Sequence, residues 1–175
     1  ILHHDDVPRF AALGVIPSMQ PSHQTSDMYW AGARLGEGRL LGAYAWRSLL
    51  DAGNIVPGGS DFPVEQVNPL LSFRASVARQ DAAGWPAGGW YPEQRMTRDE
   101  ALRAMTLWPA QAAFQERDLG TLTAGKYADF VVFDRDPMTA EPAEITRSRV
   151  LATYLGGRAV YQAADAPKPA ATPAR

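Results

Sequence analysis

Apolar residues recur at two different spacings along the first 118 residues of the chain, and each spacing predicts a different element. Four segments carry apolar residues at helical spacing: 5–13, 42–52, 69–80 and 97–113. Two short apolar runs, 15–19 and 55–59, lie between these helices and predict buried strands. Strands that alternate with helices form parallel sheets, so the pattern predicts an α/β fold.

Polar and helix-breaking residues separate these predicted elements. The polar segment 20–27 predicts a loop after the first strand, and the Gly- and Pro-rich segment 81–94 predicts a second loop. Thr97 and Glu100 match the capping-box pattern of a helix start. Pro109 should kink or divide the helix that follows them.

The last part of the chain changes to a β pattern. Turn-forming residues precede three strand-like runs, the last two of which are joined by a Gly-Gly turn: 130–133, 150–155 and 158–161. This region should therefore be antiparallel. An Ala- and Pro-rich tail follows at 163–175, and its lack of large apolar residues predicts disorder.

Composition narrows the possible partners and sites. The chain has 17 Lys and Arg against 19 Asp and Glu, and its basic residues are scattered, which argues against a nucleic-acid partner or an anionic membrane surface. No apolar run approaches the roughly 20 residues that a membrane span requires. Cysteine is absent, so any metal ion must be held by His, Asp or Glu. The compartment is unknown from the residues, with the cytoplasm as the favoured expectation.

Asp61 is the leading candidate for chemistry. It follows the apolar run 55–59 and a glycine-rich turn, where α/β barrels place catalytic and metal-binding groups at the carboxyl ends of their strands. Another interpretation of the same pattern is that Asp61 caps the next helix or forms an Asx-turn with Phe62 and Pro63.

Three further residues are candidates for a substrate pocket. Gln20 and His23 lie in the predicted loop that leaves the first strand, at the edge where substrates bind. Trp90 lies in the aromatic loop 81–94, which could close over a substrate or pack against the outside of the barrel. The adjacent His3 and His4 are interpreted as surface residues, because neighbouring side chains on a strand point to opposite faces.

Five segments together resemble the amidohydrolase superfamily, in the order in which that superfamily carries them: Val15 to Asp27, Ala43 to Leu49, Gly59 to Val64, Gly89 to Arg95 and Gly120 to Val132. The branch they resemble is amidohydrolase family 3, which includes N-substituted formamide deformylases and YtcJ-like proteins. The resemblance implies the carboxy-terminal part of a TIM (β/α)8 barrel plus part of a small β-sandwich. Residues 1–118 would form the last βα units, 119–162 the sandwich strands and 163–175 the tail.

The same resemblance implies a role for Asp61. It matches the last-strand aspartate of the family, which binds the metal and takes a proton from the attacking water. One or two divalent ions, with zinc expected, would be held mostly by histidines and an acidic or modified lysine ligand that have no counterpart in this chain. The runs 15–19 and 55–59 would be strands seven and eight. The chain is therefore expected to be an inactive fragment of a larger enzyme.

The implied function is hydrolysis of a carbon–nitrogen bond in a small amide or N-formyl substrate by metal-activated water, in an intact parent enzyme that could be a homodimer. Two alternatives stay open. The chain could be a metal-free binding or scaffolding module, since one Asp without a convincing His cluster would permit that. The same barrel could also carry esterase or deaminase activity, because a fold does not determine its substrate.

Overall fold

The computed structural model describes residues 1–167 of the chain. These residues form eight α-helices and three β-strands, joined by turns and by two short 3-10 helices at His4–Asp6 and Pro92–Gln94. The helices are α1 (Val7–Leu13), α2 (Pro21–Leu35), α3 (Glu37–Leu40), α4 (Trp46–Asp51), α5 (Pro69–Ala78), α6 (Arg98–Met105), α7 (Leu107–Ala112) and α8 (Pro142–Ile145). The strands are β1 (Phe130–Phe133), β2 (Val150–Leu155) and β3 (Arg158–Gln162).

The two predicted buried strands are reduced to a single parallel bridge between Met19 and Gly58. In this bridge the Met19 N–H donates to the Pro57 carbonyl at 2.8 Å, and the Gly59 N–H donates to the Met19 carbonyl at 3.0 Å. The parallel direction is as expected, but burial differs between the two runs. Val56 is fully buried, whereas Ile16 is 38% exposed. The prediction of two regular buried strands is therefore wrong for the described part of the chain, where no second neighbouring strand extends the ladder.

The predicted polar loop at 20–27 is also wrong, because these residues form the first half of α2. Pro21 occupies the first turn of this helix, where its missing N–H costs nothing. The polar Ser22 is buried against α5 and exchanges a hydrogen bond of 2.8 Å with the Ser72 hydroxyl. Tertiary packing thus turns a locally polar segment into a helix.

The start of α6 confirms the predicted capping box. Thr97 accepts a hydrogen bond from the Glu100 N–H, and the Glu100 side chain accepts one from the Thr97 N–H. The break predicted at Pro109 instead falls at Thr106, whose non-helical backbone (φ −132°, ψ −79°) separates α6 from α7. Pro109 then lies in the first turn of α7, where a proline is tolerated.

Helix α4 begins later than the predicted helix over 42–52, because Tyr44 has a left-handed backbone with φ of 52°. The segment before it therefore turns instead of continuing the helix. Trp46 and Leu49 of α4 are fully buried and pack in one core with Phe73 of α5 and Ile145 of α8. This helical core supports the site described below.

Strands β1, β2 and β3 form an antiparallel sheet in that order, which confirms the predicted antiparallel unit. Phe130 stacks on Tyr154 with ring centroids 4.4 Å apart across β1 and β2. All five residues of β3 are exposed, so this strand is an open edge among the described residues. Residues 163–167 continue in a turn after β3, and residues 168–175 of the predicted tail lie outside the described part.

None of the helices within residues 1–167 has the length and apolar character that crossing a bilayer requires.

Candidate functional site

Asp61 lies directly after the parallel bridge, at the carboxyl end of the run 55–59. Its backbone is left-handed with φ of 55°, a conformation that a residue other than glycine rarely adopts. Its carbonyl accepts a hydrogen bond of 2.8 Å from the Val64 N–H, which closes a turn. The following helix α5 is capped by the Asn68 side chain, so capping does not account for the Asp61 carboxylate.

His23 projects from the first turn of α2 towards Asp61. Its Nε2 atom lies 3.8 Å from the Asp61 Oδ2 atom, which is beyond hydrogen-bonding distance. This nitrogen is buried and has no hydrogen-bond partner among the described residues. The side chain of Asp61 is 58% exposed and that of His23 is 24% exposed. We call these two residues the outer pair.

A cavity of about 220 Å³ opens beside the outer pair. Its lining includes two of the predicted pocket residues, and the full set is Ile1, Met19, Gln20, His23, Asp27, Tyr44 and Trp46. Asp61 adjoins this cavity through His23. Trp90 lies behind the lining, where its ring packs edge-on against Tyr44 with centroids 5.8 Å apart. The structure therefore places Gln20, His23 and Asp61 together, with Trp90 as a support.

Asp27 and Tyr44 are polar members of the lining that the sequence patterns did not indicate. The Tyr44 hydroxyl donates a hydrogen bond to the Asp27 carboxylate. Burial and this hydrogen bond both raise the pKa of Tyr44 well above its usual range, so the hydroxyl stays protonated and remains a donor. Helix α2 places Asp27 on the same face as His23, four residues earlier. The predicted loop over 20–27 did not indicate this relation.

Arg79 holds this side of the cavity from behind. Its side chain is fully buried, and its guanidinium lies 4.4 Å from the Trp46 ring and 5.4 Å from the Trp90 ring. It donates hydrogen bonds to the carbonyls of Tyr44 at 3.0 Å and Trp90 at 2.6 Å. Burial lowers the pKa of Arg79 to about 9, so it remains a cation at neutral pH. We call Asp27, Tyr44 and Trp46 the inner wall.

The remaining aromatic and histidine candidates lie elsewhere. Trp85 stacks on the exposed ring of Tyr29, with centroids 5.0 Å apart, and so packs on the outside of α2. His3 and His4 are exposed at the amino end, as predicted for surface residues.

The donor atoms of the outer pair are those that a divalent ion such as zinc prefers, an imidazole nitrogen and a carboxylate oxygen. The unpartnered Nε2 atom of His23 and the nearby Asp61 carboxylate fit such an ion in kind. They do not complete a coordination shell, since among residues 1–167 no group of three or more His, Asp or Glu side chains is placed to hold a metal. The chain thus offers part of a metal site.

The chain is similar in sequence to a known protein family. The profile described as "Amidohydrolase family" matches residues 1–161. The chain is 39% identical over 116 residues to an N-substituted formamide deformylase of Arthrobacter pascens, covering 66% of this chain and 21% of that protein. It is 30% identical over 162 residues to the putative amidohydrolase YtcJ of Bacillus subtilis, covering 93% of this chain and 31% of that protein.

A plant relative and a solved structure agree with these matches. Protein LONG AFTER FAR-RED 3 of Arabidopsis thaliana is 37% identical over 154 residues, covering 87% of this chain and 26% of that protein. The crystal structure of an uncharacterized metal-dependent hydrolase from Pyrococcus furiosus superposes with a TM-score of 0.65 at 33% identity, covering 77% of this chain and 26% of that one. The chain therefore spans about a fifth to a third of the length of these relatives. The agreement of profile, relatives and fold shows that this chain belongs to the amidohydrolase family.

Proposed function

We propose that this chain forms the last βα units and part of the β-sandwich of a metal-dependent hydrolase that cleaves carbon–nitrogen bonds in small amide or N-formyl compounds. Family membership supports hydrolysis in general, and the deformylase relative supports the bond type. The chain covers 21% of that relative, so we propose that the activity belongs to an intact hydrolase that contains this chain.

One observation carries the proposal. The Asp61 carboxylate lies at the end of the parallel bridge, 3.8 Å from an unpartnered histidine nitrogen and beside a cavity of small-molecule size. Carboxyl ends of parallel barrel strands are where such enzymes place reacting groups. Because capping of α5 is performed by Asn68, the left-handed backbone of Asp61 presents a carboxylate that has no other role in the described fold.

The proposed reaction needs a base and a proton carrier. A bound divalent ion, with zinc expected as one or two ions, would supply a water whose pKa is near neutrality. Asp61 would accept a proton from the attacking water and deliver it to the leaving nitrogen of the substrate. The unpartnered Nε2 atom of His23 lies beside this carboxylate, while Gln20 offers an amide group to the substrate carbonyl from the adjacent lining. Trp90 packs against Tyr44 and so supports the inner wall.

The test is removal and return of metal in the intact hydrolase. We expect a chelator to abolish hydrolysis of a panel of N-substituted formamides, and zinc to restore it. The panel includes matched formate esters, because an esterase would hydrolyse those first. Full activity after metal removal, verified by elemental analysis, would contradict the proposed chemistry. Absence of any turnover by the metal-loaded protein would favour a binding or scaffolding role.

A second measurement concerns the 175-residue chain by itself. With two donors instead of the four of a typical zinc site, it should bind zinc only weakly, with an affinity weaker than micromolar. Calorimetric titration with zinc measures this directly. Micromolar or tighter affinity would mean that this chain forms a complete metal site on its own. The homodimer, the small amide-like substrate and the cytoplasmic location remain further proposals for the intact enzyme.

A further inference from the structure

The carboxylate of Asp27 stands on the inner wall of the cavity, where no cation of the described chain neutralises it. Asp27 is half-buried and accepts a hydrogen bond from the Tyr44 hydroxyl through Oδ2. Among residues 1–167, no Lys, Arg or His nitrogen forms an ion pair with it, and its other oxygen takes part in no hydrogen bond. A partly desolvated carboxylate with a free oxygen is stabilised by any N–H donor or cation that reaches it.

Tyr44 fixes where that free oxygen points. Because its hydroxyl is a permanent donor, it holds Oδ2 and leaves Oδ1 as the available acceptor. Tyr44 is itself held through its carbonyl by the buried Arg79, and its ring packs against Trp90. The rotamer of Asp27 is therefore set before a ligand arrives, which lowers the entropy cost of binding.

The spacing between the two polar ends of the cavity is set by helix α2. His23 and Asp27 are four residues apart on this helix, so they face the same side, about 6 Å from one another. Both line the cavity, together with the apolar Met19 and Trp46. A ligand that spans them needs one polar group at the outer pair and a second about 5–6 Å away.

We propose that the Asp27–Tyr44 pair is a subsite that binds an ammonium or N–H group on the amine side of the substrate. The inference rests on the proposed function for which end of the substrate reacts. An aminoalkyl amide fits this spacing, since the carbonyl carbon and the ammonium nitrogen of an aminoethyl amide lie about 5 Å apart when extended. The carbonyl then faces Asp61 and His23, and the ammonium group donates a charge-assisted hydrogen bond to the free Oδ1 of Asp27.

The experiment compares three formamides of equal size with the intact hydrolase: N-aminoethylformamide, N-hydroxyethylformamide and N-propylformamide. Binding is measured by calorimetry on the metal-stripped protein, and turnover on the zinc-loaded protein. We expect the aminoethyl compound to bind about 10- to 100-fold more tightly than the propyl compound, as expected for a charge-assisted hydrogen bond, with the hydroxyethyl compound between them. The same order should appear in KM, with a smaller spread in kcat.

Two variants and one control test whether Asp27 and Tyr44 form the subsite. Asp27→Asn removes the charge at nearly constant volume and should reduce the preference for the aminoethyl compound to less than about threefold. Tyr44→Phe keeps the charge but frees the carboxylate, so the preference should persist while the affinity falls about threefold to tenfold. Asp118→Asn removes an exposed carboxylate that forms no side-chain hydrogen bond, and it should change nothing.

Binding and turnover separate the two proposals. If the zinc-loaded protein hydrolyses none of the formamides, the proposed function fails, while the binding order still decides the subsite. Equal affinity for all three compounds, no binding of the aminoethyl compound, or a preference that survives Asp27→Asn would overturn the subsite. A uniform loss for all three compounds in both variants would also overturn it, since Asp27 would then serve only to hold Tyr44. If Asp27→Asn does not fold, the wild-type preference and Tyr44→Phe decide.

Discussion

The inner wall and the outer pair border the same cavity but are held in different ways. Tyr44 and Trp46 of the inner wall are buried, and the guanidinium of Arg79 fixes them from behind. In the outer pair, Asp61 is 58% exposed and stands 3.8 Å from His23 without a hydrogen bond between them. One side of the cavity is thus buried and held by polar contacts, whereas the other is exposed and its two side chains form no hydrogen bond with each other.

This difference suits two roles, substrate recognition and proton transfer. A wall that recognises substrate by shape and hydrogen bonding gains affinity from being fixed in advance. A carboxylate that takes a proton and passes it on must reach two positions, so an exposed side chain without competing hydrogen bonds suits it. The difference predicts that substitutions in the outer pair change turnover, whereas substitutions that loosen the inner wall change stability and substrate affinity.

The largest expected effect is on turnover at the outer pair. Asp61→Asn in the intact hydrolase should lower kcat by about a thousandfold or more, because general base catalysis typically contributes about 10²- to 10⁴-fold. Its melting temperature should stay within about 2 °C of wild type, since the exposed carboxylate forms no side-chain hydrogen bond. Asp118→Asn is the matched control and should retain full activity. Retained turnover by Asp61→Asn would show that another group moves the proton.

The second-largest expected effect is on the stability of the protein when Arg79, which lies behind the inner wall, is replaced. Arg79→Met should destabilise the protein by about 2–4 kcal/mol, because it leaves the buried carbonyls of Tyr44 and Trp90 without their donor. Thermal unfolding measures the loss, and the KM for amide substrates should rise with it. Arg147→Met, which breaks an exposed ion pair with Glu144, serves as the control at less than about 0.5 kcal/mol. Equal melting temperatures for the two variants would mean that the inner wall does not depend on Arg79.

The smallest expected effect is on stability as a function of pH, at the ion pair between Arg47 and Glu100, which lies away from the cavity. Arg47 and the capping hydrogen bonds lower the pKa of Glu100 from 4.5 to about 2. A lowered folded-state pKa stabilises the protein above the unfolded pKa, and that contribution is lost as pH falls from 4.5 to about 2. Glu100→Gln should therefore lower stability by about 1 kcal/mol near neutral pH. Melting curves across this range should show the difference from wild type shrinking in acid, and a constant difference would contradict it.

The predictions that succeeded are those in which neighbouring residues decide the outcome. The capping box of Thr97 and Glu100 and the hairpin at Gly156 each depend on contacts within a few residues. The short apolar run 130–133 similarly forms a strand of the antiparallel sheet, as its residue types predicted.

The errors arose where distant residues decide. The segment 20–27 reads as a polar loop, yet it is helical because Ser22 and its neighbours pack against Ser72 of α5. That one difference hid Asp27 from the candidate site, since its relation to His23 exists only on a helix. The place of Trp90 was likewise undecided, and the structure packs it against Tyr44 and Arg79.

The sequence by itself determined the family, the cap positions, the antiparallel unit and the candidacy of Asp61, because each depends on residue types in a fixed local order. Only the tertiary structure decided that His23 adjoins Asp61, that Tyr44 donates to Asp27, and that Arg79 is buried between Trp46 and Trp90. These contacts join residues that are 11 to 38 positions apart, from Arg79 with Trp90 to His23 with Asp61. Side-chain packing and desolvation bring such residues together, and neither is encoded in the spacing of the residues along the chain.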